Sequence, residues 1–60
     1  MRKIEILETL IGDDKGDIVI PVELDYRGNV YYYDKLNRYC CLQGKTKDIY
    51  WKWIEGEDND

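Results

Sequence analysis

The sequence contains no histidine and no serine, so parts of several common catalytic sites are missing. A serine-type triad cannot form, and a cysteine nucleophile would lack the imidazole base that activates it. The carboxylates cluster in turn-rich segments and near the chain ends, where a small domain can hardly desolvate them for acid–base catalysis. Cofactor-binding motifs are also missing. We therefore expect a protein that is not an enzyme and holds no cofactor.

Cysteine is scarce, and Cys40 and Cys41 are adjacent, so in a strand their side chains would point to opposite faces. A disulfide between them would break the ladder of a sheet, and free thiols are typical of a reducing compartment. Two cysteines without histidine also fall short of a zinc site. Because the sequence has neither a long apolar run nor the apolar core of a signal peptide, we expect no membrane contact and a cytoplasmic location, in the host cytoplasm if the protein is viral.

Strand-favouring residues, in contrast, are abundant. Ile, Val, Thr, Tyr and Trp supply 20 of the 60 residues, while alanine, the best helix former, does not occur. The composition predicts one mostly-β domain over residues 1–54, near the lower size limit for a single core. Residues 55–60 are acidic and are predicted to form a disordered tail.

A tyrosine-rich hairpin is the clearest local prediction. Asp34 suits the first position of a type I turn and Asn37 tolerates positive φ, so residues 35–37 are predicted to form the loop. Counting outward gives the pairs Asp34–Arg38, Tyr33–Tyr39, Tyr32–Cys40, Tyr31–Cys41 and Val30–Leu42. Side chains alternate, so Val30, Tyr32, Cys40 and Leu42 share one face, and Tyr31, Tyr33, Tyr39 and Cys41 share the other.

The preceding turn extends the first of these faces. Asp25 fits its first position and Gly28 supplies the left-handed residue. This register places four more apolar residues on the face that we expect to form the core: Ile18, Ile20, Val22 and Leu24. Pro21 cannot donate to a ladder, so pairing is expected to end or the strand to bend there, which would let one strand serve two sheets.

The two ends of the domain are less distinct. Ile4 and Ile6 alternate as in a strand, which is favoured, although residues 2–11 also fit a helical stripe. Residues 12–17 fail the spacing of a calcium loop and are expected to form a solvated loop. In a last strand, we expect Ile49, Trp51 and Trp53 to point inward. The predicted fold is an antiparallel meander of four to five strands, curled into an SH3-like or OB-like barrel.

The outward tyrosines are the candidate binding site. Tyr31, Tyr33 and Tyr39 would form a patch flanked by Arg38, Lys52 and Tyr50, and tyrosine is enriched at binding hot spots. The alternative is that a curled sheet covers these rings and uses them as core. With the patch exposed, we expect a small non-catalytic protein that docks on another protein, as a modulator or inhibitor of the kind made by phages and mobile elements. That last step is an analogy of size and composition.

Nucleic acid is the alternative partner, because the charge is unevenly distributed. Residues 26–52 carry a net charge of +4 and contain nearly all the aromatic residues, whereas residues 1–25 and 53–60 each carry −4. A single strand could stack its bases on the same tyrosines, with phosphates on Arg27, Arg38, Lys45, Lys47 and Lys52. The acidic ends would repel a polyanion, which favours a protein partner. A homo-oligomer is a third alternative.

One segment has a local resemblance to a known family. Residues 28–34, Gly-Asn-Val-Tyr-Tyr-Tyr-Asp, resemble the middle of a WW domain, a three-stranded reader of proline-rich peptides. The second signature Trp of that family would fall at position 42, where this chain has Leu42, and no Trp precedes Gly28. The resemblance therefore implies a similar hairpin but not the ligand groove of the family.

Overall fold

A computed structural model describes residues 2–54, and the predicted tail at residues 55–60 lies outside the described part. The strands are β1 (Lys3–Ile6), β2 (Ile18–Val19), β3 (Glu23–Leu24), β4 (Val30–Tyr33), β5 (Tyr39–Leu42) and β6 (Trp51–Ile54), with a short 3₁₀ helix at Gly44–Thr46. They form two antiparallel three-stranded sheets, β2–β1–β6 and β3–β4–β5. The mostly-β prediction is confirmed. Instead of one curled meander, residues 2–54 form two sheets that do not close into a barrel.

The tyrosine-rich hairpin has the predicted register. Val30 pairs with Leu42 and Tyr33 with Tyr39 across β4 and β5. At the turn, the backbone N–H of Asp34 donates to the carbonyl of Arg38 at 3.0 Å. Asn37 has the predicted positive φ, 65°. Local turn chemistry therefore sets which tyrosines share a face.

The preceding turn also forms as predicted. The N–H of Gly28 donates to the carbonyl of Asp25 at 3.1 Å, and the N–H of Asp25 donates to the carbonyl of Asn29 at 3.1 Å. Gly28 has a φ of 85°, a conformation that side chains with a Cβ rarely adopt. Leu24 consequently pairs with Val30, and β3 becomes an edge strand beside β4.

The N-terminal segment is a strand, which resolves the ambiguity of its sequence. β1 is the central strand of its sheet, pairing with β2 on one side and β6 on the other. Ile4 and Ile6 are completely buried, and Ile6 lies opposite Trp51. Alternation at a spacing of two residues therefore outweighs the helical stripe, because both sides of β1 are occupied by partner strands.

The chain changes sheets at Pro21. β2 pairs with β1 in one sheet and β3 pairs with β4 in the other, so the proline lies between two short paired segments. The expectation that Ile18, Ile20, Val22 and Leu24 belong to the core is wrong, because all four are about half exposed. The register of β4 does not extend past Pro21. Pairing with Ile4 instead turns Val19 into the core.

The core lies between the two sheets and is small. It consists of Ile4, Ile6, Val19, Val30, Tyr32, Leu42 and Trp51, with Leu10, Cys40 and Trp53 packed against it. Trp51 points inward and Trp53 is half-buried, as predicted. Ile49 is 59% exposed, contrary to prediction, because residues 48–50 form a turn and the strand begins only at Trp51.

A buried carboxylate connects the loop after β1 to the tyrosine-rich hairpin. The expectation of a solvated loop over residues 12–17 holds for the exposed residues 14–16 but is wrong for Asp13, which is only 2% exposed. The hydroxyl of Tyr32 donates a hydrogen bond to one carboxylate oxygen of Asp13. Burial and this hydrogen bond both raise the pKa of Tyr32. The contact gives the polar end of a core tyrosine the partner that its burial requires.

Tyr32 and Tyr33 should therefore differ sharply on truncation. Tyr32→Ala should lower the free energy of unfolding by roughly 2–4 kcal/mol, because it removes a large side chain from the core. Tyr33→Ala removes a ring that is 54% exposed and should cost much less. Urea denaturation measures both values. The reverse order would mean that the two faces of the hairpin are interchanged.

Candidate partner-binding face

The outward side of the sheet β3–β4–β5 carries a cluster of three tyrosines. We call Tyr31, Tyr33 and Tyr39, together with Glu23 beside them, the tyrosine face. Tyr33 and Tyr39 are 54% and 52% exposed, and Tyr31 is half-buried. Their rings therefore do not form part of the core, which was the alternative that the sequence left open. They form a surface cluster on a scaffold of backbone hydrogen bonds.

Tyr39 is the central ring of the tyrosine face. Its ring stacks on that of Tyr31 with centroids 5.9 Å apart and planes inclined by 14°. Tyr33 packs against it at 5.1 Å with a tilt of 54°. The spacings are those of favourable aromatic pairs. The three rings thus form one continuous surface instead of three separate side chains.

Two of the three hydroxyls of the tyrosine face donate hydrogen bonds to carboxylates at the margin of this surface. Tyr31 donates to Asp25 at 3.1 Å, and Tyr39 donates to Glu23 at 3.0 Å. The hydrogen bond to Asp25 raises the pKa of Tyr31 to about 12. Desolvation and the hydrogen bond to Glu23 raise the pKa of Tyr39. Both phenols are therefore neutral at physiological pH, and each is a fixed donor to an acidic group.

Asp25 contributes a negative charge to this margin. Desolvation alone would raise its pKa, but hydrogen bonds from Asn29, Arg27 and Tyr31 outweigh it and lower the pKa below the ordinary value. The carboxylate also accepts the backbone N–H groups of Arg27 and Asn29, both at 2.9 Å, which fixes the turn. Asp25 thus orders both the turn and the Tyr31 ring while remaining ionised at neutral pH.

Arg38, predicted to flank the tyrosines, belongs to a different environment. Its Nε donates to Asp34 at 2.9 Å, and the side chain of Asp34 is completely buried. Backbone and side-chain hydrogen bonds from Arg38 lower the pKa of Asp34 although burial opposes this. A Cβ on Gly12 would lie 2.5 Å from the Arg38 guanidinium, so that group lies against the loop after β1. Arg38 therefore supports the hairpin turn.

Tyr50 and Lys52, the other two predicted flanking residues, lie with the second sheet. Lys52 is in β6, where its amine is 3.8 Å from the carboxylate of Glu5. Tyr50 precedes β6, and its carbonyl accepts the backbone N–H of Leu7 at 2.8 Å. The structure thus joins three of the six predicted site residues. Glu23 and Asp25 take the flanking positions, with Glu23 directly opposite Tyr31 across β3 and β4.

The other chemistry of the described residues is limited. Within residues 2–54, no group of three or more histidine, cysteine or acidic side chains is arranged to hold a metal ion. The same segment contains no helix with the length and apolar character needed to cross a membrane. The thiols of Cys40 and Cys41 are free, on opposite faces of β5. Searches against protein-family models, curated protein sequences and solved structures find no match.

The link between Asp25 and Tyr31 can be tested by titration. Asp25→Asn keeps an oxygen that can accept the turn N–H groups but removes the charge, so the pKa of Tyr31 should fall from about 12 towards the ordinary 10.0. The pKa of Tyr31 should fall because a neighbouring carboxylate disfavours the negatively charged phenolate, and the substitution removes that carboxylate. The Cζ chemical shift of labelled tyrosine gives the value. Glu23→Gln is the matched control and should act on Tyr39 instead. An unchanged pKa of Tyr31 in Asp25→Asn would contradict the contact.

Proposed function

We propose that this protein is a non-catalytic binding protein that docks on a basic surface of another protein through the tyrosine face. The observation that carries the proposal is the combination of three contacting rings, two of them about half exposed, with an acidic margin formed by Glu23 and Asp25. Exposed clusters of this kind are characteristic of interaction sites. Aromatic faces attract cations, and the carboxylates add to that attraction.

The order of the tyrosine face supports tight binding. Tyr31 and Tyr39 are held both by ring contacts and by hydrogen bonds from their hydroxyls. Side chains that are fixed before binding lose less conformational entropy when a partner covers them. Tyrosine has only two side-chain torsions, so it supplies a large contact area at a low entropic cost.

Charge at the tyrosine face favours a basic protein over the other two partners. Phosphates would meet the carboxylates of Glu23 and Asp25, while Arg38 and Lys52 are paired with Asp34 and Glu5. Self-association through this face would place the same carboxylates against each other across a two-fold axis. Both alternatives therefore lack electrostatic support at this surface.

The likeness to a small barrel and the role as a modulator or inhibitor of phage type rest on analogy. Two sheets packed around one core are the open counterpart of the SH3-like or OB-like barrel expected from the sequence, and small barrels often present a sheet face to a partner. A role as a modulator or inhibitor of phage type is consistent with the small size and acidic composition. These likenesses support a binding role only as fold-level analogy.

A titration with a basic peptide tests the tyrosine face directly. We expect a peptide of about ten alternating arginine and glycine residues to shift the amide resonances of β4 and β5 around Tyr31 and Tyr39. Tyr39→Ala should weaken binding at least about tenfold, because it removes the central ring. Tyr26→Ala is the matched control, since Tyr26 is 90% exposed and lies outside the tyrosine face.

Two results would contradict the proposal. One is an absence of amide shifts on β4 and β5 at low ionic strength, where attraction between the peptide and the carboxylates is strongest. The other is equal loss of affinity in Tyr39→Ala and Tyr26→Ala, which would mean that the peptide responds to overall charge and not to the ring cluster. Amide spectra of both variants must first match the parent spectrum, so that unfolding is not mistaken for lost binding.

A further inference from the structure

A second surface, opposite in charge to the tyrosine face, lies where the β3–β4 turn meets the 3₁₀ helix. A groove there is lined by residues of the turn, by both ends of the 3₁₀ helix, by Arg2 and by β6. Its lining includes Asp25, Tyr26, Arg27, Lys47 and Trp53. Arg27 also lines a neighbouring groove, together with Lys45. Arg27 therefore connects two depressions, and cations from separate parts of the chain meet around it. We call the two depressions together the basic groove.

Close backbone packing gives the basic groove a fixed floor. The N–H of Gly44 donates to the side-chain oxygen of Asn29 at 2.8 Å. A Cβ at position 44 would lie 2.9 Å from the carbonyl oxygen of Arg27, so only glycine allows this approach without a shift. On its other side, the 3₁₀ helix is held by the indole N–H of Trp51, 3.1 Å from the Thr46 hydroxyl. The β3–β4 turn and the 3₁₀ helix are thereby fixed against each other.

Two cations of the basic groove have no acidic partner within residues 2–54, unlike Lys35, Arg38 and Lys52 elsewhere in the chain. Lys35 binds Asp14 and Asp17, while Arg38 and Lys52 pair with Asp34 and Glu5. Among the described residues, Arg27 and Lys45 form no ion pair. Lys47 contacts only the exposed Asp48 beside it, at 3.3 Å. Arg27 and Lys45 therefore keep their charge for a ligand, and Asp25 is the one carboxylate in the described part of the chain that lines the same groove.

Aromatic rings accompany these cations. Tyr26 is 90% exposed, and the Arg27 guanidinium lies 5.4 Å from its ring centroid. The Nε of Arg27 donates to the Tyr26 hydroxyl at 3.1 Å, which holds the pair together. The Arg2 guanidinium lies 3.8 Å from the ring centroid of Trp53, and both residues line the same groove. An exposed ring beside a guanidinium offers a stacking surface and a phosphate contact at the same place.

We propose that the basic groove binds single-stranded nucleic acid, with phosphates on Arg27, Lys45 and Lys47 and a base stacked on Tyr26. Positive charge in two connected depressions fits a backbone that carries one charge per nucleotide. The exposed ring favours nucleic acid over an acidic peptide, because carboxylate side chains have no use for a stacking surface. This binding function is additional to docking on a protein. It keeps three of the cations that the sequence predicted for phosphates, but the stacking ring is Tyr26 instead of the tyrosine face.

Titration with a thymidine oligonucleotide of about eight residues is the test. We expect amide shifts over residues 26–28 and 44–47 and at the Trp53 indole, with no shifts at Tyr33 or Tyr39. Three phosphate contacts should make the logarithm of the binding constant fall with the logarithm of salt with a slope of about −2. Tyr26→Ala should weaken binding by roughly 5- to 100-fold through lost stacking.

A charge-matched pair of variants separates the basic groove from overall charge. Arg27→Glu and Lys35→Glu change the net charge equally, but Lys35 lies with Asp14 and Asp17, outside the groove. Arg27→Glu should abolish binding and Lys35→Glu should leave it within about twofold, because salt screens charges that are farther away than about 10 Å. A separate titration of the parent protein with an oligoglutamate of similar charge shows whether any polyanion binds the basic groove.

Three outcomes overturn this proposal alone. They are no binding of the oligonucleotide at low salt, equal effects of Arg27→Glu and Lys35→Glu, and binding of oligoglutamate as tight as that of the oligonucleotide with no effect of Tyr26→Ala. The last result would assign the basic groove to acidic peptides. Oligonucleotide shifts centred on Tyr33 and Tyr39 would overturn both proposals, whereas failure at the basic groove alone leaves docking of a basic protein through the tyrosine face intact.

Discussion

Side-chain alternation along β4 places Tyr32 in the core and Tyr31 and Tyr33 on the opposite face. Tyr32 can occupy the core because its hydroxyl donates to the buried carboxylate of Asp13. A slip of one residue would expose Tyr32 and turn its two neighbours inward. The position of one buried ring therefore determines which tyrosines are available to a binding partner.

The tyrosine face and the β3–β4 turn differ in the charges that surround them. On the outward side of β3–β4–β5, Glu23 and Asp25 accept from tyrosine hydroxyls and make that face acidic. At one end of the sheet, the β3–β4 turn presents Arg27 beside the 3₁₀ helix, which carries Lys45. A chain of net charge −4 thus carries an aromatic surface with an acidic margin and an aromatic groove lined by several cations and by Asp25.

The turns and the strand register that they set could be predicted from the sequence, whereas contacts between distant segments of the chain could not. Asp34 and Asn37 encode their turn within a few residues, so the register and the outward position of Tyr33 follow directly. The exposure of Ile20 could not be foreseen, because it depends on β2 pairing with β1 and on the change of sheet at Pro21. The predicted register already paired Arg38 with Asp34, but the sequence did not show that the Arg38 guanidinium lies against the loop after β1.

Measuring the accessibility of each tyrosine ring to a dissolved dye is the most direct test of this alternation. Photochemically induced nuclear polarisation detects rings that a flavin can reach, and the chain offers several tyrosines of known exposure for comparison. Tyr33, Tyr39 and the 90% exposed Tyr26 should show strong signals, while Tyr32, 2% exposed, should show none. A strong signal from Tyr32 with silent Tyr33 and Tyr39 would contradict both the core and the tyrosine face described for this protein.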